Sequence, residues 1–127
     1  PLLTVEQPIQ FVEVNEGDAT AGKMQVVAQV QEYIKNHLSE KLTLADVAAV
    51  FNFSPNYLSQ LFGKYGDSGF VEYITETRIA AAKEMLEQGD WKVYEIAEKL
   101  GYESAFYFSK VFKKVTGLSP REYQQSL

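Results

Sequence analysis

Hydrogen-bonding side chains recur at matching positions of two segments, residues 57–62 and 107–112, that lie 50 residues apart. Asn and Gln amides can pair with the edge of adenine through two hydrogen bonds, and a Lys ammonium can donate to guanine. An apolar group can contact the methyl group of thymine. The two segments therefore carry side chains suited to reading base edges in the major groove of DNA.

The exposed face of a recognition helix enters the groove, so residues expected in the core are set aside first. The expected core residues are Tyr57, Leu58, Leu61 and Phe62 in the first segment and Phe108, Val111, Phe112 and, in part, Tyr107 in the second. The remaining candidates for base contacts are Asn56, Ser59, Gln60, Ala105, Phe106, Ser109 and Lys110. Lys110 is expected to donate to guanine, and Ala105 or Phe106 to contact a thymine methyl.

Basic and hydroxyl side chains beside the same segments are suited to phosphate contacts, which set the register of a protein on DNA. The candidates are Thr43, Lys64, Ser104, Lys113, Lys114 and Arg121. An ordinary solvated helix face also explains any one of these residues. Their recurrence at equivalent places in two copies favours the functional interpretation.

The elements that must position these side chains are repeated as well. Val47-Ala48 and Asn52-Phe53 precede the first segment as Ile96-Ala97 and Gly101-Tyr102 precede the second, at an offset of 49 residues. Asn and Gly tolerate the left-handed backbone conformation that a tight turn between helices requires. The pattern predicts a helix-turn-helix twice over, at about residues 43–66 and 93–115.

Apolar periodicity and capping residues predict an all-α fold of about seven helices. Ser104 or Glu103 is expected to cap the sixth helix. A linker helix at 70–87 is expected to hold the two recognition helices at a fixed distance. The first predicted helix begins near Lys23 and is about 16 residues long. The others are predicted at 44–51, 55–65, 70–87 and 93–100, followed by a sixth helix that ends at about Val115 and a short one from Ser119-Pro120 through Tyr123.

Composition excludes several classes of function. The 127 residues contain no Cys and one His, so thiolate metal sites, Cys nucleophiles and a Ser-His-Asp arrangement have no support. His37 is expected to cap the first helix or to be solvated. Glu95 and Glu98 are expected to be solvated. Arg78 is expected to form a buried ion pair with Glu or Asp. We expect no enzyme activity, cofactor or metal, and, without an apolar run of about 18 residues or a signal peptide, a cytoplasmic location.

The net charge of −5 is unusual for a DNA-binding domain, which is commonly basic. Residues 1–22 contain four acidic residues and no basic ones, so residues 23–127 carry 12 basic and 13 acidic groups. A local basic face would then have to supply the affinity for phosphate. The acidic balance keeps open a second hypothesis, a protein-interaction module that keeps the fold but has weak affinity for DNA.

Residues 1–22 differ in composition and pattern from the rest of the chain. Pro8 to Val14 partly alternates and is rich in β-branched residues, which predicts a short strand, and Asn15 to Asp18 supplies turn residues. The segment is expected to be either a linker or the tail of a missing N-terminal sensor or receiver domain. The start at Pro1 rather than Met is in keeping with a fragment of a longer protein.

Residues 96–123 resemble the C-terminal motif of AraC/XylS-family bacterial transcription regulators. The resemblance rests on Ile96-Ala97, Gly101-Tyr102-Glu103-Ser104, the run from Tyr107 to Lys114, Gly117, Ser119-Pro120 and Tyr123. An upstream half of the same motif is matched by Ser54, Tyr57-Leu58-Ser59, Phe62, Tyr73, Arg78, Ala82 and Leu86. Together the two halves cover about residues 24–126.

The resemblance implies a seven-helix domain with two helix-turn-helix subdomains that bind successive major grooves on one face of DNA. It also implies control by a separate sensor or receiver domain and activation through RNA polymerase. Three residues depart from the family pattern: Gly63 and Gln60 replace residues that are often basic, and Asp67 replaces a common glycine, so that Gly66 or Gly69 must break the helix. We therefore expect the second copy to supply more electrostatic affinity than the first.

Overall fold

The computed structural model describes residues 19–127, and within them the chain forms seven α-helices and no strand. The all-α prediction is confirmed for this range, and the strand predicted at Pro8 to Val14 lies outside it. The helices are α1 (Ala19–Lys35), α2 (Leu44–Val50), α3 (Pro55–Tyr65), α4 (Phe70–Gln88), α5 (Val93–Lys99), α6 (Ala105–Thr116) and α7 (Pro120–Gln125). No helix among these residues is both long and apolar enough to span a bilayer.

The helices belong to two compact units. The described part of the first unit comprises residues 19–36 and 42–73, and the second comprises 37–41 and 74–127. The division falls within α4, between Tyr73 and Ile74. Each unit contains one pair of short and longer helices joined by a tight turn: α2 and α3 in the first unit, and α5 and α6 in the second.

The core of the first unit is formed by one apolar face from each of its helices. From α1 the buried residues are Val27, Val30 and Ile34, which recur at the helical spacing that the sequence indicated. Val47 and Ala48 of α2 and Leu58, Leu61 and Phe62 of α3 complete this set. The Phe62 ring packs edge-on to Phe70 at a centroid distance of 5.5 Å, which joins the start of α4 to the same core.

The first helix, predicted to run for about 16 residues from Lys23, begins earlier than expected and ends before Leu38. The helix ends at Lys35, His37 lies in the turn that follows, and Leu38 packs against the core of the second unit. That core consists of Ile79, Ala82, Met85, Leu86, Ile96, Ala97, Leu100, Phe108 and Phe112. Residues 37–41 therefore pack with the second unit although they follow α1 of the first.

The two interhelical turns have the same backbone structure. Asn52 has a φ of 61° and Gly101 a φ of 82°, both in the left-handed region that the sequence predicted for these positions. The amide of Phe53 donates to the carbonyl of Ala48, and the amide of Tyr102 donates to that of Ala97, each at 2.9 Å. Different residues thus produce the same change of direction between the helices.

Capping hydroxyls fix where the helices begin. The Oγ atoms of Ser54 and Ser104 accept the backbone N–H of Tyr57 at 3.1 Å and of Tyr107 at 3.0 Å. Ser104, rather than Glu103, therefore caps α6. Thr43 caps α2 in the same way by accepting the N–H of Asp46 at 3.0 Å.

Acidic side chains complete the caps of two further helices. Ser119 and Glu122 form a reciprocal capping box on α7. The prediction that Glu95 is merely solvated is wrong, because its Oε1 accepts the backbone N–H of Lys92 at 2.8 Å at the start of α5. Gly66 caps the C-terminus of α3, and a Cβ at this position would lie 2.9 Å from the carbonyl oxygen of Phe62.

Arg78 anchors residues 37–41 to the second unit through carbonyl groups. Its Nη2 donates to the carbonyl of Leu38 at 3.2 Å and to that of Glu40 at 2.7 Å, and the guanidinium lies 5.6 Å from the centre of the Tyr102 ring. The prediction that Arg78 forms an ion pair with a carboxylate is therefore wrong. Burial lowers the pKa of Arg78, which the nearby Tyr102 partly opposes, and the side chain remains charged because its ordinary pKa is so high.

Gly101 lies against this anchor, and its replacement provides a stability test. A Cβ at Gly101 would lie 2.7 Å from the carbonyl oxygen of Leu38 and 2.8 Å from Nη2 of Arg78, whereas one at Gly89, which has the same φ of 82°, would meet nothing within 4 Å. We expect Gly89→Ala to lower the free energy of unfolding by about 1 kcal/mol, from backbone strain alone. Gly101→Ala should lower it by about 3 kcal/mol, from strain and overpacking.

Urea unfolding followed by circular dichroism measures both values. Equal losses for the two variants would show that the close approach of Gly101 to the anchor has no energetic weight.

Candidate nucleic-acid interface

The first candidate reading edge lies on α3. Leu58, Leu61 and Phe62 are buried, while Asn56, Ser59 and Gln60 are exposed along with Gly63 and Lys64. The helix is therefore divided into a core face and a polar face, as its sequence spacing requires. The polar face offers two amides, one hydroxyl and the Lys64 ammonium as hydrogen-bonding groups.

Tyr57 differs from the predicted core role. Its side chain is 40% exposed, and the ring packs edge-on to Phe53, with centroids 5.1 Å apart. This ring therefore lies beside Phe53, in the turn that precedes α3. Tyr57 therefore adds an exposed aromatic group to the unit that carries the first reading edge.

The second candidate reading edge lies on α6. Phe108 and Phe112 are fully buried, and the Phe108 and Phe112 rings pack with centroids 5.8 Å apart. Lys110, Lys113 and Lys114 are exposed, while Ala105 and Ser109 are half-buried. Tyr107 is 56% exposed, so the prediction of a partial core role holds only for the part of the ring that contacts Tyr102.

Six residues of the second unit share one shallow surface depression. Five of them are sequence candidates for DNA contacts, three for bases and two for phosphates, and the sixth, Ser119, was predicted only to begin α7. They are Phe106, Ser109, Lys110, Lys113, Lys114 and Ser119. The lining of the depression is almost wholly apolar and comes from the Phe106 ring and the carbon parts of the other side chains, while three of the residues that form it carry ammonium groups suited to a polyanion.

The fold of the second unit holds α7 beside this depression. The hydroxyl of Tyr123 donates to Oε2 of Glu87 at 2.8 Å, and Nε2 of Gln124 donates to the carbonyl of Leu86 at 3.0 Å, so that α7 is fastened to α4. The hydrogen bond to Glu87 also raises the pKa of Tyr123. Arg121 is exposed on α7 but does not line the depression.

Charge in this region is not uniformly positive. The pKa of Glu122 is lowered, first by its hydrogen bond to the Ser119 backbone and next by the positive charge of Lys113. The carboxylate is therefore ionised at neutral pH and interacts electrostatically with Lys113, one of the residues predicted to contact phosphate. Lys113 and Lys114 also lie in the last turn of α6, where positive charge stabilises a helix through its dipole. A structural role is thus available to them beside the proposed one.

The candidate hydroxyls Thr43 and Ser104 are occupied as acceptors but not as donors. Each oxygen accepts a backbone N–H at the start of its helix, at 3.0 Å in both cases. A hydroxyl group can accept one hydrogen bond and still donate its own proton. Their geometry is therefore compatible with donation to a phosphate oxygen while the cap is kept.

Lys64 makes its close contact with an aromatic ring. Its ammonium lies 5.6 Å from the centre of the Tyr65 ring, and that of Lys23 lies 5.9 Å from the same ring. Lys23 was not among the predicted site residues, because it precedes α2 by twenty residues in sequence. The first unit therefore places two exposed ammonium groups around Tyr65.

The contact between Lys110 and Phe106 on the second reading edge was not predicted from the sequence. The Lys110 ammonium lies 5.5 Å from the centre of the Phe106 ring, within the range of a cation–π interaction. The available signal was the spacing of four residues, which places the two side chains on the same helix face. Among residues 19–127 no cluster of His, Asp or Glu has the composition of a metal site.

Comparison with known proteins agrees with this architecture. Residues 47–126 match the model of a helix-turn-helix domain family. The chain is 41% identical over 107 residues to YijO, an uncharacterized HTH-type transcriptional regulator of Escherichia coli strain K12, covering 84% of this chain and 38% of that protein. It is 40% identical over 95 residues to the regulatory protein PocR of Salmonella typhimurium, covering 75% of this chain and 31% of PocR. The chain thus spans less than two fifths of the length of these curated relatives.

Solved structures share the fold. The C-terminal domain of AraT, a response regulator from Geobacillus stearothermophilus, superimposes with a TM-score of 0.77 at 37% identity, covering 80% of this chain and 84% of that one. The DNA-binding domain of AdpA, a global transcriptional factor solved in complex with a target DNA, gives a TM-score of 0.74 at 25% identity, covering 79% of this chain and 90% of that one.

The seven helices and the repeated turn thus occur together with a family match over more than half of the sequence. The chain belongs to the AraC/XylS-type family of helix-turn-helix transcription regulators.

Proposed function

We propose that this chain is the sequence-specific double-stranded DNA-binding domain of a bacterial transcription regulator, with α3 and α6 as its two recognition helices. The observation that carries the proposal is the repeated division of these helices: at equivalent positions, Leu58 and Phe108 are buried, and Gln60 and Lys110 are exposed. A helix with a polar outer edge after a tight turn is the arrangement by which helix-turn-helix proteins enter a major groove.

The two helices are proposed to enter successive major grooves, about 34 Å apart along the duplex. Base contacts come from the exposed or half-exposed residues Asn56, Ser59, Gln60, Ala105, Phe106, Ser109 and Lys110, and phosphate contacts from Thr43, Lys64, Ser104, Lys113, Lys114 and Arg121. Of the candidate cations, Lys110, Lys113, Lys114 and Arg121 are in the second unit, and only Lys64 is in the first. The second unit therefore supplies most of the electrostatic affinity in this proposal.

The whole protein is proposed to be a cytoplasmic activator that acts through RNA polymerase under the control of an N-terminal sensor or receiver domain. In support, two relatives, Btr and AdaA of Bacillus subtilis, are transcriptional activators by name, and AraT is a response regulator. Residues 1–22 would be the linker or tail that joins that domain to residues 23–127. No enzymatic role or cofactor forms part of the proposal.

Selection from a random double-stranded DNA library at two salt concentrations tests the proposal. We expect enrichment of two short boxes about one helical turn apart, with affinity that falls steeply as salt rises. Failure to enrich any sequence at either salt would overturn the proposal. It would favour the protein-interaction module, for which the net charge of −5 is the supporting observation.

Lys110 and Lys114 should respond differently to truncation, because one is proposed to read a base and the other to bind a phosphate. We expect Lys110→Ala to weaken binding to the selected site by about tenfold or more, with little effect on random DNA. Lys114→Ala should weaken both and reduce the slope of log affinity against log salt by about 0.9. Titrations with fluorescent duplexes measure these values.

Lys99 provides the matched control, since it is an exposed lysine of the same unit that lies outside the proposed interface. Lys99→Ala should change neither affinity. Equal losses on every sequence for Lys110→Ala would contradict its base-reading role.

Ser104 can be tested by separating its cap from its proposed phosphate contact. Ser104→Asp keeps an acceptor for the N–H of Tyr107 and should leave the free energy of unfolding nearly unchanged. Its negative charge should nevertheless weaken DNA binding at low salt by about tenfold, because it would face a phosphate. Ser54→Asp, at the equivalent cap of α3, is the control outside the proposed contacts.

Calorimetry and the same duplex titrations provide both readouts. An equal loss of affinity for Ser104→Asp and Ser54→Asp would remove Ser104 from the phosphate-binding set.

A further inference from the structure

An exposed aromatic ring stands in the first turn of α6, next to a cation. Phe106 is the second residue of the helix, and 75% of its side chain is exposed, the largest fraction among the large apolar residues that the structure describes as exposed. The Lys110 ammonium lies 5.5 Å from the centre of its ring. Both side chains line the depression that also contains Ser109 and Lys113.

The equivalent pair in the first unit has a different chemistry. Asn56 and Gln60 occupy the positions that match Phe106 and Lys110, at an offset of 50 residues, and both are exposed amides. Neither can form a cation–π contact. A ring–ammonium pair at these two positions therefore occurs in α6 and not in α3, and Phe106 and Lys110 are not among the core residues of the second unit.

The contact restricts where the Lys110 ammonium can lie. A free lysine side chain samples many rotamers, and each one that is immobilised on binding costs affinity. Attraction to the ring face holds the ammonium beside Phe106, so that the two groups are presented together at the outer edge of the helix. Residues four apart on a helix lie one above the other, at a separation comparable to the rise of one or two base pairs.

We propose that Phe106 and Lys110 act as one specificity-determining unit that reads a guanine next to a pyrimidine with a C5 methyl group. This inference rests on the proposed function of α6 as a recognition helix. Lys110 donates to the O6 and N7 acceptors of guanine, and the Phe106 ring packs against the methyl group in the major groove. Phe106 also acts as a positioning residue for Lys110, since its ring orients the ammonium before DNA is bound.

Modified bases separate the methyl contact from every other property of the base. Within the selected box whose preference Lys110→Ala relaxes, deoxyuridine replaces thymine and removes the methyl group alone. We expect about a fourfold loss of affinity at the thymine that neighbours the guanine. Replacing that thymine with 5-methylcytosine should bind about fourfold more tightly than replacing it with cytosine. Both differences should disappear in Phe106→Ala.

Asn56→Ala is the matched control, because Asn56 occupies the position of Phe106 in the first unit. It should weaken binding through the other box but leave both methyl effects in the Lys110 box, each measured as a ratio of two affinities, unchanged. Phe106 lies outside the core, so Phe106→Ala should unfold at the same urea concentration as the unmodified chain. A urea unfolding curve followed by circular dichroism checks this.

A double-mutant cycle measures the coupling between the two side chains. The four proteins are the unmodified chain, Phe106→Ala, Lys110→Met and the double variant, each titrated with the selected duplex. We expect Lys110→Met to cost two- to fivefold more affinity when Phe106 is present than when it is absent. Additive losses would overturn the positioning role.

Two results would contradict the proposed contact between Phe106 and the methyl group. An unchanged affinity on replacing each thymine of the box with deoxyuridine, or a Lys110 box without a guanine beside a thymine, would overturn the inference while leaving α6 as a recognition helix. Failure of the selection to enrich any box would instead overturn the proposed function itself. The two failures are therefore distinguishable.

Discussion

The tight turn between the two helices of each pair is the constraint on which the rest of the architecture depends. Asn52 and Gly101 have positive φ angles, and each is followed by an amide that donates back to the shorter helix, to Ala48 in the first unit and to Ala97 in the second. This geometry sets the direction in which α3 and α6 leave the turn. Once that direction is set, the apolar residues of both helices enter the cores, and their polar edges remain outside.

The same backbone therefore supports two chemically different surfaces. The outer edge of α3 carries two amides, one hydroxyl and one ammonium group, whereas that of α6 carries an aromatic ring and three ammonium groups. Amides discriminate bases by hydrogen bonds and add little long-range attraction, while ammonium groups attract the phosphate backbone from a distance. Near-neutral residues 23–127 can in this way contain a basic face in one unit without a basic domain overall.

Local signals were sufficient to predict the helices, because caps and turns depend on neighbouring residues. Ser54, Ser104 and Gly101 acted as expected. Contacts between residues distant in sequence were not predictable: Arg78 binds carbonyls forty residues away, where the expected partner was a carboxylate. Exposure of Tyr57 was also misjudged, since periodicity places a ring on a face but does not say how much of it the neighbouring turn covers. The base and phosphate contacts remain predictions.

The central claim is that two recognition helices read one face of a single duplex. Inserting about five base pairs between the two selected boxes rotates one of them by about half a helical turn and tests this claim directly. The account predicts that affinity falls to that of a duplex with one intact box, because the two boxes then no longer lie on one face of the duplex. Unchanged affinity for the duplex with the insertion would contradict simultaneous reading by α3 and α6.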